Sequence, residues 1–154
     1  LNSINDILAD GEDLIEVWSP SFRQFIRRFI IVGLLTSILL GGPLYSFGIT
    51  AWLVTTALAI LVYGFVFDDF ASWRNIRHDQ WALTNRRLIY VENGEYHTAL
   101  SVPLTDIDRV KRSMWGGLII RLTNRQKITI AFLTDPQTAQ SRINDATITS
   151  KGPQ

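Results

Sequence analysis

Cysteine is absent from the 154 residues, methionine occurs once and histidine twice. Without a thiolate there is no disulfide framework, no nucleophilic cysteine and no sulfur-rich metal centre. His78 and His97 stand nineteen residues apart, with no carboxylate cluster at ligand spacing around either. His78-Asp79 therefore reads as a polar linker. No glycine-rich phosphate loop follows a strand pattern, and Gly116-Gly117 reads as an isolated turn. These absences argue against an enzyme and against a bound metal or cofactor. A further absence is positional: from Phe29 to Phe67, thirty-nine consecutive residues include no Asp, Glu, Lys, Arg, His, Asn or Gln.

What is present in that run predicts two membrane-spanning helices. One crossing takes about 20 apolar residues, so thirty-nine is about twice that, with Gly41-Gly42-Pro43 near the middle where a turn belongs. The run is too long and too far from the start for a cleaved signal peptide. Ser19-Pro20 predicts a helix start, with Ser19 as cap and Pro20 in the first turn, and the first helix extends to Leu40. The second runs from Ile49 to Phe67. Trp18, Arg23, Arg27, Arg28, Trp73 and Arg74 are expected at the membrane interface, and the arginines flanking both helices place both ends in the cytoplasm. Small residues recur every fourth position: Gly33, Ser37 and Gly41 on one helix, Ala51, Thr55 and Ala59 on the other. These stripes are expected to pack together.

Charge is divided unevenly along the chain. Residues 1–28 carry five acids against three bases, and residues 74–154 carry twelve bases against seven acids. From Gln80 onward the pattern turns from helical to alternating, with turn residues at short intervals. Strands are expected at Trp81–Thr84, Arg87–Val91, Leu100–Val102, Ile107–Arg112, Leu118–Leu122 and Lys127–Phe132. A final helix is capped by Thr134 or Asp135, with Ala139, Ile143 and Ala146 as its apolar stripe. The expected divisions are a polar, amphipathic segment (1–18), the membrane hairpin (19–73, turn near 41–48), a β domain (74–148) and a tail (149–154).

The run Trp81-Ala82-Leu83-Thr84-Asn85-Arg86-Arg87-Leu88-Ile89-Tyr90, then Gly94, then Val102-Pro103-Leu104-Thr105-Asp106-Ile107, resembles the bacterial membrane-anchored pleckstrin-homology-like family. Gly11-Glu12-Asp13-Leu14-Ile15 resembles the Gly-Glu-x-hydrophobic segment that often precedes that family's first helix. The sequence departs from the common pattern at Trp81, where Tyr is usual. The resemblance implies a pleckstrin-homology-like barrel closed by one helix after two transmembrane helices, in a bacterial inner membrane, with self-association through the barrel.

Beyond the fold, the functional signal lies in exposed bases. Arg86, Arg87, Arg109, Lys111, Arg112, Arg125 and Lys127, with Trp115 in a glycine-bounded turn, are the candidate partner or lipid contacts. The reading that follows is a non-catalytic, membrane-tethered adaptor or assembly protein that holds a protein partner or its own copies at the bilayer surface. The alternatives are recognition of anionic lipid headgroups by a basic face, where each Lys or Arg contributes about 1 kcal/mol, and an accessory subunit of a larger membrane complex. Nucleic acid is not an expected partner, because no contiguous basic and aromatic surface is apparent.

Overall fold

The structure, a computed structural model, describes residues 4, 7–41, 48–66, 69–92, 99–114 and 116–152. It divides into two units, residues 1–21 with 76–154, and residues 22–75.

The first unit is mostly β. Its strands are β1 (Leu14–Trp18), β2 (Gln80–Thr84), β3 (Arg87–Val91), β4 (Leu100–Pro103), β5 (Ile107–Ser113), β6 (Gly117–Leu122) and β7 (Lys127–Ile130). They form an antiparallel sheet in the order β1-β2-β3-β4 and a second in the order β5-β6-β7. A 3-10 turn at Leu104–Asp106 links the two sheets. The core lies between the sheets and under the C-terminal helix: Leu83 and Leu88 from the first sheet, Val110, Leu118 and Ile120 from the second, and Ala139 and Ile143 from the helix. Gly117 is required where β6 begins, since a Cβ there would stand 2.3 Å from the Ile130 carbonyl oxygen.

β1 corrects the expectation for residues 1–18, which are not a separate surface segment. Leu14 to Trp18 pair with Thr84 to Trp81 of β2, with a bulge between Leu14 and Glu16. Ile4, Ile7 and Leu8 cover Ala82, Ile89 and Val91 on the face of the first sheet opposite the main core. This sheet is thus apolar on both faces, which is why β2 and β3 carry the near-continuous apolar runs Trp-Ala-Leu and Leu-Ile-Tyr-Val instead of alternating.

A buried ion pair holds that N-terminal cover. Gly11 turns the chain at φ +71°, a conformation that glycine adopts without steric cost, and delivers Glu12 beneath the β2–β3 hairpin. Arg87 donates from Nε to Glu12 Oε1 and from Nη2 to Oε2, both at 2.9 Å. Thr84 Oγ1 lies 2.7 Å from Oε1, and the Ala9 amide donates to Oε2 at 2.9 Å. A second Arg87 contact, Nη2 to the Ile7 carbonyl at 3.0 Å, ties in the preceding turn. Asn85 completes the clasp, its Oδ1 accepting from the Asp13 amide and its own amide donating to the Asp13 carbonyl.

The second unit holds α1 (Phe22–Gly41), α2 (Ile49–Val66) and α3, which begins at Asp69 and ends at Ile76 on the boundary with the β unit. α1 starts two residues after Pro20, later than the expected helix start. The expected transmembrane hairpin is overturned: among the described residues, no helix is long and apolar enough to cross a membrane. Arg23, Arg27 and Arg28 occupy the first turns of α1, so its uncharged part, Phe29 to Gly41, rises only about 20 Å at 1.5 Å per residue. The eighteen residues of α2 rise about 27 Å, against roughly 30 Å of hydrocarbon. The inference of a multi-pass inner-membrane protein with both ends cytoplasmic falls with the hairpin.

α1 presents the expected Gly33 and Ser37 to α2, whereas on α2 the seam is shifted by one residue from the expected stripe. Ser37 and Thr56 are buried and hydrogen-bonded to each other. A Cβ on Gly33 would lie 2.2 Å from Ile60 Cγ1. Thr55, expected in the seam, donates instead to the Ala51 carbonyl on its own helix. Ala51 and Ala59 are half-buried, and the surroundings of Gly41 lie outside the described residues. The closing helix of the β unit, α4 (Pro136–Lys151), is capped by Asp135, which accepts from the amides of Gln137 and Thr138.

Two outcomes are expected. Glu12→Gln removes the charge that Arg87 is held against and lowers β-unit stability by about 3 kcal/mol in urea titrations. Arg87 and its hydrogen bonds hold the Glu12 carboxyl down, from 4.5 to about 2. A depressed carboxylate stabilises the fold fully above its unfolded value, so this contribution, about 3 kcal/mol, is lost in the wild type as pH falls from 4.5 towards 2, and the Gln variant lacks that loss. Separately, Gly33→Val overpacks the helix seam by about 1–3 kcal/mol. Amide exchange in α1 and α2 should accelerate while that of the strands stays unchanged.

Candidate functional site

Three surfaces have a composition that folding alone does not require. The first is the outer face of the second sheet. β5 and β6 place Arg109 opposite Arg121, and β6 and β7 place Arg121 opposite Lys127. Adjacent strands lie about 4.8 Å apart, so three cations stand in one row across the sheet, with Lys111 one step along β5. Like charges directly opposed on neighbouring strands destabilise a sheet. Asp108, at the β5 bulge, approaches the row with its Oδ2 3.8 Å from Arg121 Nε, and both side chains are more than half exposed. The register comes from apolar positions, Val110 opposite Ile120 and Ile120 opposite Ile128, which force the intervening bases outward.

The second is a cavity of about 180 Å³ in the β unit, where Trp81 and Tyr90 of the first sheet meet Thr129 and Ala131 at the end of β7. Trp81 and Tyr90 are paired residues whose ring centres are 4.6 Å apart. Asp79 is buried at the cavity wall and accepts from the Tyr90 hydroxyl at 2.7 Å. Burial, reinforced by Asp79, pushes the Tyr90 phenol well above its usual range, so the phenol stays protonated and donates.

The third is the outside of the helix pair. Ile30, Ile31, Leu34, Leu35, Ile38 and Leu39 on α1 are exposed, Leu39 to 80 %, as are Leu53, Val54, Leu58, Leu61 and Val62 on α2. Contiguous apolar patches of this kind are rare on isolated folded proteins and mark surfaces that something else covers.

Among the candidate contacts, Arg109, Lys111 and Lys127 come together on the basic face. Arg87 does not: it is spent on Glu12 and is a structural residue. Arg112 sits at the edge of the opposite face, 3.4 Å from Gln137 Oε1 of α4. Arg86 and Arg125 are exposed in separate turns. Arg125 itself adopts the left-handed conformation, at φ +68°, that its turn requires, while Asn124 Oδ1 accepts from the Gln126 amide. Trp115 lies outside the described residues, and its neighbour Met114 is 89 % exposed.

The residues assigned to a membrane interface have other placements. Trp18 ends β1 and packs against the main core. Trp73 stacks on Phe25 of α1 at 5.0 Å and lies 5.6 Å from the Phe22 ring. Arg23, Arg27 and Arg74 are exposed and Arg28 is half-buried. Reading the sequence missed the Asp79–Tyr90 contact and the role of Glu12. The second was traceable only as an acid in a Gly-Glu pair before an apolar run. No group of three or more His, Cys, Asp or Glu side chains that could hold a metal occurs among the described residues.

No protein-family model matches the chain, and no curated protein matches it.

Lys127→Thr should raise stability by about 0.2–1 kcal/mol at low ionic strength by removing one of the opposed charges, and the gain should vanish in high salt. A fall in the low-salt urea midpoint would show that the row is not self-repelling.

Proposed function

We propose that this chain is a non-catalytic assembly protein whose helix pair associates with further copies of itself, leaving the β unit to hold an acidic partner protein on its basic sheet face. The observation that carries this reading is the apolar exterior of α1 and α2. A helix that is apolar all round is a helix that is covered. The seam between the two already uses the small and hydroxyl-bearing residues Gly33, Ser37 and Thr56, so the large aliphatic side chains are left facing outward. An uncharged aliphatic surface is complementary to a second surface of the same kind, and a further copy supplies one. The resemblance to pleckstrin-homology-like proteins implies self-association through the barrel, so it favours an assembly role in general and not the helix surface in particular.

A second reading rests on the row Arg109, Arg121 and Lys127: direct binding of anionic headgroups, in which phosphates neutralise charges that otherwise repel one another. Reversing all three to Glu abolishes association with anionic headgroups on that reading and leaves copy-to-copy association intact on the first.

Crosslinking followed by analytical ultracentrifugation of the full chain tests the main proposal. Oligomers are expected, and Leu34→Glu or Leu58→Glu should reduce them to monomer while the amide spectrum of the β unit is retained. A full chain that stays monomeric, or that partitions into lipid vesicles without forming a protein oligomer, overturns it.

A further inference from the structure

The bases on the outer face of the second sheet stand at an interval that strand pairing fixes. Arg109, Arg121 and Lys127 are register partners on β5, β6 and β7, and all three are exposed. Adjacent strands set them about 4.8 Å apart, so the row spans about 9.6 Å at the backbone. Two residues along the strands, the next outward row is Lys111, Ile119 and Thr129, which puts a half-buried apolar side chain beside the middle of the cation row. Among the described residues, Asp108 is the one carboxylate in an ion pair with the row, and its contact with Arg121 is long, at 3.8 Å, with both side chains more than half exposed. Opposed like charges cost stability, so the row gains from anions held at the same interval.

A protein partner sets carboxylates at a regular interval in two ways. On an α-helix, positions i, i+4 and i+7 share one face and span about 10.5 Å at about 1.5 Å per residue, within about 1 Å of the length of the row. On an extended segment, alternate residues share a face about 6.7 Å apart, and three of them span about 13.4 Å, about 4 Å too long. Arg and Lys side chains absorb about 1 Å within their preferred rotamers, whereas about 4 Å requires the outer two to splay and costs side-chain freedom. An extended segment laid along β5 instead meets two bases, Arg109 and Lys111. Position i+3 of the helix lies about 4.5 Å along its axis and to one side of the acid stripe, so in one of the two helix directions an apolar residue there covers Ile119. We propose that the basic face docks an acidic α-helix of a partner protein, laid across β5, β6 and β7 with carboxylates at i, i+4 and i+7 and an apolar residue at i+3. This rests on the reading of that face as the seat of an acidic protein, and adds the secondary structure and spacing of what it holds.

Fluorescence anisotropy of labelled alanine-based peptides, titrated with the full-length chain at low ionic strength, tests this. One peptide carries Glu at i, i+4 and i+7 with Leu at i+3; the other has the same composition with Glu at i, i+2 and i+4. The first should bind about fivefold more tightly and gain helical circular dichroism on binding. Lys127→Thr should weaken that binding about fivefold while raising the stability of the chain, two opposite effects that partial unfolding does not produce. Equal affinity for the two peptides, still lowered by Lys127→Thr, overturns the helix and leaves the acidic-partner reading standing. No binding of either peptide overturns both, and association with phosphatidylglycerol vesicles that Arg121→Ala weakens would then assign the face to headgroups.

Discussion

Glu12 and Arg87 are seventy-five residues apart in sequence, and their bidentate contact is the constraint on which the β unit depends. The carboxylate side chain is 1 % exposed, so neither partner can be removed without leaving the other charge poorly solvated. The pair fixes the Gly11 turn beneath the β2–β3 hairpin, which brings β1 alongside β2 and lays Ile4, Ile7 and Leu8 over Ala82, Ile89 and Val91. Without that cover, the outer face of the first sheet would present its apolar residues to water. The short motifs that carry the family resemblance, Gly11-Glu12 and Thr84-Asn85-Arg86-Arg87, are thus two halves of one clasp. Their residue types follow from its geometry: a glycine for the turn, an acid and a base for the fork, and Thr84 and Asn85 for the hydrogen bonds around it.

The helix pair inverts the usual arrangement of a folded unit in water. Its interior seam is small and partly polar, Gly33 against Ile60 and Ser37 bonded to Thr56, while its exterior is aliphatic. Close backbone approach at Gly33 and a satisfied hydroxyl pair hold the two helices together. This aliphatic exterior is the feature on which the proposed self-association rests. The charges follow the same division: the arginine row lies on the second sheet, where Val110, Ile120 and Ile128 take the inner positions and leave only the outer ones to bases.

Much of the β unit was legible in the chain. Alternation located β5, β6 and β7, and a cap at Thr134 or Asp135 with the stripe Ala139, Ile143 and Ala146 located the closing helix, because period and capping are local properties. β1 was hidden because Leu14-Ile15-Glu16-Val17-Trp18 reads equally as an amphipathic surface segment, and only pairing with β2 identifies it as a strand. The α1 side of the helix seam, Gly33 and Ser37, was legible, but the α2 side reads one position off because Thr55 and Thr56 both fit a small-residue stripe. Thr56 is the one that faces Ser37 while still donating to its own helix at Trp52. The membrane reading counted the uninterrupted run Phe29 to Phe67 as two crossings, whereas the helices divide it into pieces that each fall short of one.

The sequence by itself determined what depends on neighbouring residues: strand periods, the Asp135 cap, the uncharged run, and the absence of thiols and of local metal-ligand spacing. Only the tertiary structure decided which distant groups meet. Glu12 and Arg87 become a clasp, Asp79 and Tyr90 become one wall of a cavity, and Arg109, Arg121 and Lys127 become a row, because strand pairing and register bring together groups that are far apart along the chain. The energy of a buried charge depends on that meeting: an acid in an exposed turn is solvated by water, whereas the same acid beneath a hairpin requires the base that the fold delivers to it.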